Sequence, residues 1–176
     1  MNIFTYDYIR HAKKSDNWFI MLLRILKNHN LRYLYYLRKE QRATSKIKKM
    51  FWQYMAQSLG RRYELEMHGQ SLGKGILLAH AFNISINKAA RLGENCTIFK
   101  GASIGSIRSG RKQGAPTIGN RVTICINAMV CGNVKIGDDV LIAANAFVNF
   151  DVPSNSLVIG NPGVIHKAEN PSKDYL

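Results

Sequence analysis

The sequence predicts a mainly β chain: a left-handed parallel β-helix of hexapeptide repeats, preceded by an N-terminal α-helical region. Three observations carry this. Aliphatic residues recur every six positions at Ile86, Leu92, Ile98 and Ile104, and again at Ile118, Ile124, Val130, Ile136, Ile142 and Val148. Four residues after nearly every one stands a small or branched apolar residue, as at Ala90, Cys96, Ala102, Val122, Ala128, Val134, Val140 and Ala146. By contrast, residues 3–59 contain neither glycine nor proline, which favours helix there.

A period of six matches neither the 3.6 of a helix nor the 2 of an alternating strand. It fits a coil in which each hexapeptide supplies one short strand and one turn, three of them closing a triangular circuit. The aliphatic fills the prism, the small residue lets corners stack, and the glycine after the aliphatic at Gly73, Gly93, Gly105, Gly119 and Gly137 eases the turn. Ten aliphatics on one comb exclude a sandwich with accidental spacing. Leu72, Leu78 and Ile84 form an earlier series displaced by two residues. The comb breaks between Ile104 and Ile118, where the polar, basic, glycine-rich run 105–117 has nothing to place inside and reads as an expelled loop.

In the helical region, Trp18, Phe19, Leu22, Leu23, Ile25 and Leu26 define one apolar face. Leu31, Leu34, Tyr35, Leu37 and Arg38 resume it after a turn at Asn28-His-Asn30. Ile47, Met50, Phe51, Tyr54, Met55 and Leu59 make a third stripe, with Gly60 as its C-cap. The expected organisation is a basic helical region over 1–62, a β-helix over 63–167 and a frayed tail over 168–176.

With 176 residues, 46% hydrophobic, and a mean hydropathy of −0.17, wholesale disorder is excluded. The strongest apolar run, Trp18 to Leu26, is broken by Arg24 and falls well short of the roughly eighteen residues of a membrane span. No secretory leader is recognisable, and Cys96, Cys125 and Cys131 read as reduced, buried thiols, so a cytoplasmic location is expected. No His, Cys or Asp cluster has metal-ligand spacing, so no metal is implied.

The net charge is +14, of which residues 1–67 carry +9. Tyr33, Tyr35, Tyr36, Phe51, Trp52 and Tyr54 are interleaved with Arg32, Arg38, Lys39, Arg42, Lys46, Lys48 and Lys49. Two readings follow: a cap or assembly element on the open end of the β-helix, or peripheral contact with the inner face of an anionic membrane. Nothing matches a nucleic-acid-binding module.

His80 stands at the corner after Leu78 without occupying a comb position. A histidine so placed can take the proton of a hydroxyl attacking a thioester. Its orienting carboxylate would be Glu66, about one coil upstream. His11, His29, His68 and His166 read as surface or packing residues.

Residues 60–167 resemble the serine acetyltransferase branch of the hexapeptide acyltransferases. The resemblance rests on Leu65-Glu-Met-His68, Leu77-Leu-Ala-His80, the loop from Ala102-Ser-Ile-Gly-Ser106 to Arg111-Lys-Gln-Gly-Ala-Pro116, and Val158-Ile-Gly-Asn-Pro162. The loop and the short basic N-terminal region look closest to capsule and exopolysaccharide O-acetyltransferases. The resemblance implies a homotrimer, or a dimer of trimers, with acetyl-CoA as cosubstrate in the groove between prisms. It implies His80 as general base, Glu66 as its acidic partner, and Gly105, Ser106, Ile126 and Ala144 along the cofactor. Phe150 and Val164 stand where basic residues are common, leaving Arg111, Lys112 and Lys167 for the CoA phosphates. Ala79 and Gly114-Ala115 replace the Asp and the Arg-His pair that hold a serine zwitterion in the branch. That favours a sugar or glycan hydroxyl as acceptor, with serine O-acetylation as the alternative enzyme and a catalytically silent scaffold as the third reading. No cysteine or serine adjoins His80 in its motif, so direct transfer without an acyl-enzyme is expected.

Overall fold

The computed structural model describes residues 2–14, 17–68 and 72–175. Four helices come first: α1 (Ile3–Ala12), α2 (Trp18–Lys27), α3 (His29–Arg42) and α4 (Lys46–Tyr63). Each begins at a side chain that accepts a backbone N–H of its first turn, namely Asn2, Asn17, Asn28 and Ser45. Asn28 ends α2 and caps α3, which makes the predicted turn. Gly60 is not a C-cap. α4 runs on to Tyr63 and ends at Glu64 in the left-handed region, while a Cβ on Gly60 would stand 2.4 Å from the Leu65 carbonyl oxygen. That glycine serves close approach of helix and first strand.

Only part of the predicted apolar surface is buried. Leu31, Leu34, Leu37 and Arg38 of α3 are in the core. On α2 only Ile25 is, and Trp18 is 70% exposed. On α4, Ala56 and Gly60 face inward while Ile47, Met50, Phe51 and Tyr54 are exposed.

The rest of the chain, apart from the expelled loop and the tail, winds through short strands in three parallel ladders. One contains β1 (Leu65–Glu66), β3 (Ile84–Ile86), β6 (Ser103–Gly105), β9 (Met129–Cys131) and β12 (Phe147–Val148). The second contains β4 (Arg91–Leu92), β7 (Thr117–Ile118) and β10 (Lys135–Ile136). The third contains β2 (Leu77–Ala79), β5 (Thr97–Phe99), β8 (Thr123–Ile124), β11 (Val140–Ile142) and β13 (Ser156–Ile159), closed by antiparallel β14 (Val164–Lys167). The register stacks the comb on itself: Ile86 on Ile104, Leu92 on Ile118, Ile118 on Ile136, Ile98 on Ile124, and Ile124 on Ile142. All are buried, forming the prism interior.

The first coil has an unpaired end, and buried backbone groups there need partners. The helices supply them. The Arg38 guanidinium donates to the Leu72 and Gly73 carbonyls and pairs with Asp7 at 2.7 Å, both side chains being buried. Asp7 also accepts the Ile76 N–H at 2.8 Å. Arg10 donates to the Gly75 and Cys96 carbonyls and to Thr97 Oγ1.

The described tail is not frayed. Buried Ser172 donates to the Val140 carbonyl, the Tyr175 carbonyl accepts from Thr97 Oγ1, and the Tyr175 ring meets Phe99 edge-on. Leu176 lies outside the described residues.

Candidate active site

Leu78 pairs with Ile98, yet Ile86, eight residues on, pairs with Ile104, which is only six beyond Ile98. The two extra residues are taken up in the turn 80–83. His80 and Asn83 there hold φ of +52° and +51°, uncommon for residues with a Cβ. The enlarged turn puts the exposed His80 side chain on the prism corner.

The helices grip this turn. His11 Nε2 accepts the Leu78 N–H at 3.2 Å, Asn30 donates to the Leu78 carbonyl at 3.0 Å, and His29 Nε2 lies 3.0 Å from the Ala81 carbonyl. The His29 ring stacks on Tyr63, centroids 4.0 Å apart. Asn83 N–H bonds to the Tyr63 carbonyl. Thus His11 and His29, expected at the surface or in packing, hold the backbone on both sides of His80. Burial pushes the His11 pKa below its ordinary value of 6.5.

Ala79 pairs with Phe99, Ile98 with Ile124, and Ile124 with Ile142. Carried round the corner, this register aligns His80 with Lys100, Ile126 and Ala144. Backbone bonds from Lys100 to Ala79, Asn127 to Lys100 and Asn145 to Ile126 continue the stack. Three of the expected site residues therefore share one column parallel to the prism axis. Exposed Lys100 is in it too, unforeseen from sequence; the signal was its place two residues beyond interior Ile98.

Gly105 and Ser106 lie elsewhere. Gly105 pairs with Cys131 at the opposite end of the β6 ladder, and Ser106 Oγ accepts from Asn87 at 3.0 Å. The expelled loop is a hairpin closed by reciprocal Ile107–Gly114 bonds and tied by Lys112 O to Asn133 N–H. Arg111 and Lys112 are exposed on it. One prism thus presents the His80 column at one corner and the loop at the next. Lys167 joins neither, because β14 runs backward and sets it against Ser156, at the start of β13. Phe150 is half-buried and Val164 exposed.

Glu66 sits on β1 beside Ser85 and accepts its hydroxyl at 3.3 Å. No hydrogen bond or ion pair joins Glu66 to His80 among the described residues. Glu66 lines a cavity of about 630 Å³ with Asn83, Ser85, His68, Glu40 and Arg61. A second cavity, of about 480 Å³, lies among His11, Ala12, Arg24, Lys27 and residues 28–31. The cysteines are free, and burial pushes the Cys96 thiol up to about 11, which suits a core role.

Residues 115–149 match the model of the bacterial transferase hexapeptide (six repeats) family. With the stacked comb, this decides the fold. The coil has the hexapeptide-repeat β-helix fold and is similar to that family. The chain is 38% identical over 106 residues to the serine acetyltransferase of Staphylococcus aureus, covering 60% of this chain and 50% of that protein. It is 34% identical over 111 residues to the serine acetyltransferase of Helicobacter pylori, covering 62% of each. The chain therefore spans about half the length of the Staphylococcus relative. Among solved structures, serine acetyltransferase from Brucella abortus superposes with a TM-score of 0.77 at 23% identity, over 95% of this chain and 68% of that one. The Neisseria gonorrhoeae enzyme gives 0.77 at 25%, over 95% and 67%. A serine acetyltransferase complex with CoA gives 0.74 at 21%, over 93% and 68%. These likenesses support the serine acetyltransferase-like branch and do not support the closer likeness to capsule and exopolysaccharide enzymes.

Proposed function

We propose that the chain is an acetyl-CoA-dependent O-acetyltransferase with His80 as general base. The observation that carries this is the column of His80, Ile126 and Ala144 on one corner, with His80 lifted onto it by an enlarged, clamped turn. In this reading acetyl-CoA lies along the column with its thioester at His80. His80 takes the acceptor's hydroxyl proton, and the hydroxyl oxygen attacks the thioester carbonyl. A backbone N–H of Gly105 or Ser106 stabilises the oxyanion, and the thiolate leaves with the proton held by His80. Glu66, released from Ser85, fixes the imidazole tautomer. Arg111 and Lys112 serve the CoA phosphates.

A homotrimer follows from the two separated corners, since a neighbouring prism brings its loop to the His80 column. Exposed Phe82 and Met129 on that side supply apolar surface for the contact. A cytoplasmic enzyme with peripheral contact at the inner membrane face completes the proposal; no helix among the described residues is long and apolar enough to cross a membrane.

The relatives support serine as acceptor. A second reading, a sugar or glycan hydroxyl in polysaccharide synthesis, is favoured by uncharged Ala79, Gly114 and Ala115 at the expected acceptor end, which offer a zwitterion no counter-ions. The test is acetyl-CoA turnover with serine, nucleotide sugars and lipid-linked oligosaccharides in parallel. Transfer by wild type and not by His80→Ala supports the enzyme reading. No acceptor-dependent turnover with any of the three would leave a binding scaffold.

A further inference from the structure

The cavity among α1, α2 and the start of α3 has a one-sided composition. Arg24, Lys27, His11 and His29 line its approximately 480 Å³, and among the described residues no carboxylate does. Lys27 is exposed and forms no ion pair among the described residues. Its walls are the residues that hold the catalytic turn: His11 and Asn30 bond to Leu78, and His29 to Ala81, on the two sides of His80.

The direction of the cavity matters as much as its charge. His80 belongs to the coil next to the helices, and Lys100, Ile126 and Ala144 succeed one another away from them. A cofactor lying along that column approaches His80 from the coil side. This cavity lies on the helix side of the turn that carries His80, its walls bonded to Leu78 and Ala81.

We propose that this basic cavity binds a phosphate or diphosphate group carried by the acceptor, so that the acetylated hydroxyl belongs to a phosphorylated compound rather than to a free amino acid. The inference rests on the O-acetyltransferase reading and deepens its sugar branch. Arg24 and Lys27 supply charge-assisted hydrogen bonds to the phosphoryl oxygens, and the imidazole of His29 borders the same space. The chemistry is shared by a soluble nucleoside-diphosphate sugar and a lipid-linked diphosphate sugar.

Two measurements on the full chain test it. In calorimetric titration with inorganic pyrophosphate, wild type should bind, Lys27→Ala should bind about tenfold more weakly, and Arg24→Ala/Lys27→Ala should show no heat. His80→Ala should bind like wild type, so a failure of the catalytic reading leaves this arm standing. In turnover assays, Lys27→Ala should raise the acceptor KM about tenfold with the acetyl-CoA KM unchanged. A nucleotide sugar and a polyprenyl-diphosphate sugar, run side by side, assign the source. Equal pyrophosphate affinity in wild type and the double variant overturns the proposal. So does transfer to serine at a rate indifferent to Lys27, or a rise confined to the acetyl-CoA KM, which would give the cavity to the CoA phosphates. Circular dichroism of Lys27→Met, which keeps the aliphatic stem, separates lost charge from lost fold.

Discussion

His11 Nε2 accepts the backbone N–H of Leu78 at 3.2 Å, while its Nδ1 lies 2.9 Å from the Asp7 carbonyl. These partners assign a neutral ring with the proton on Nδ1, because the carbonyl can only accept and the N–H can only donate. A second proton, on Nε2, would remove the only acceptor the ring offers Leu78. The strand that leads into His80 is therefore tied to a histidine that must remain uncharged.

A pH dependence of stability follows. Burial lowers the His11 pKa from 6.5, so the folded state binds this proton less readily than the unfolded chain. The contribution is complete above the unfolded value of 6.5 and is lost as pH falls through the lower folded value. Urea unfolding should show wild type losing stability between about pH 7 and pH 5 more steeply than His11→Gln, whose amide accepts the same bond without titrating. Parallel slopes would remove His11 from the account.

His80→Ala should lower kcat by roughly 10²–10⁴ with little change in the acetyl-CoA KM, the range for loss of a general base. Glu66→Gln should cost less, because an amide can still orient the ring. A Glu66→Gln loss equal to that of His80→Ala would mean that the charge itself is required. Full activity would leave Glu66 as the partner of Ser85 alone.

Asp7 and Arg38 form a buried pair that also holds Leu72, Gly73 and Ile76. Removing one member strands the other charge away from water. Asp7→Ala should destabilise the fold by roughly 3–5 kcal/mol, read by chemical denaturation. Arg38→Met/Asp7→Leu, which removes both charges, should recover a large part of that loss.

Assembly has its own signature. The His80 column and the loop occupy different corners, so in the proposed trimer each active centre would join two chains. His80→Ala and a variant lacking residues 108–113 should each be inactive alone. Unfolded together and refolded, they should regain activity through mixed trimers, with light scattering giving the trimer mass. An active monomer would end this account.

The comb made the prism legible because interior positions leave no choice of residue: Ile86, Ile98 and Ile124 had to be aliphatic and had to recur. Even the clamped turn had a mark in the sequence, the two-residue slip between the Leu78 series and the later one. The helices were less legible. Their apolar faces could be listed, but burial is decided by what lies opposite, and that is set by the open coil end. Arg38 read as one more basic residue of a membrane-facing surface and is instead locked against Asp7. Tyr33 is buried, and Tyr35, Tyr36 and Trp52 pack together beneath Lys39, so they are not surface anchors. The tail was unreadable because its contacts, Ser172 with Val140 and Tyr175 with Phe99, are single and far apart in sequence.

What remains outside redefines the membrane prediction. Trp18, Phe19, Leu22, Leu23 and Leu26 on α2 are exposed, as are Ile47, Met50, Phe51 and Tyr54 on α4. Exposed cations accompany them, Lys13, Lys14 and Lys27 around α2 and Lys46 and Lys48 at the start of α4. An apolar helix face rimmed by cations suits the headgroup region of an anionic bilayer. Each Lys or Arg near such a surface contributes on the order of 1 kcal/mol, screened over roughly 8–10 Å at physiological salt. Co-sedimentation with vesicles should therefore show binding to anionic and not to neutral lipid, weakened by high salt. Trp18→Ser/Phe19→Ser and Lys46→Glu/Lys48→Glu should each reduce it, the first by removing apolar insertion and the second by reversing the attraction. If wild type stays in the supernatant with anionic vesicles at low salt, these faces instead meet other copies of the chain. The same α2 variant would then lower the assembly mass in light scattering and leave lipid behaviour unchanged.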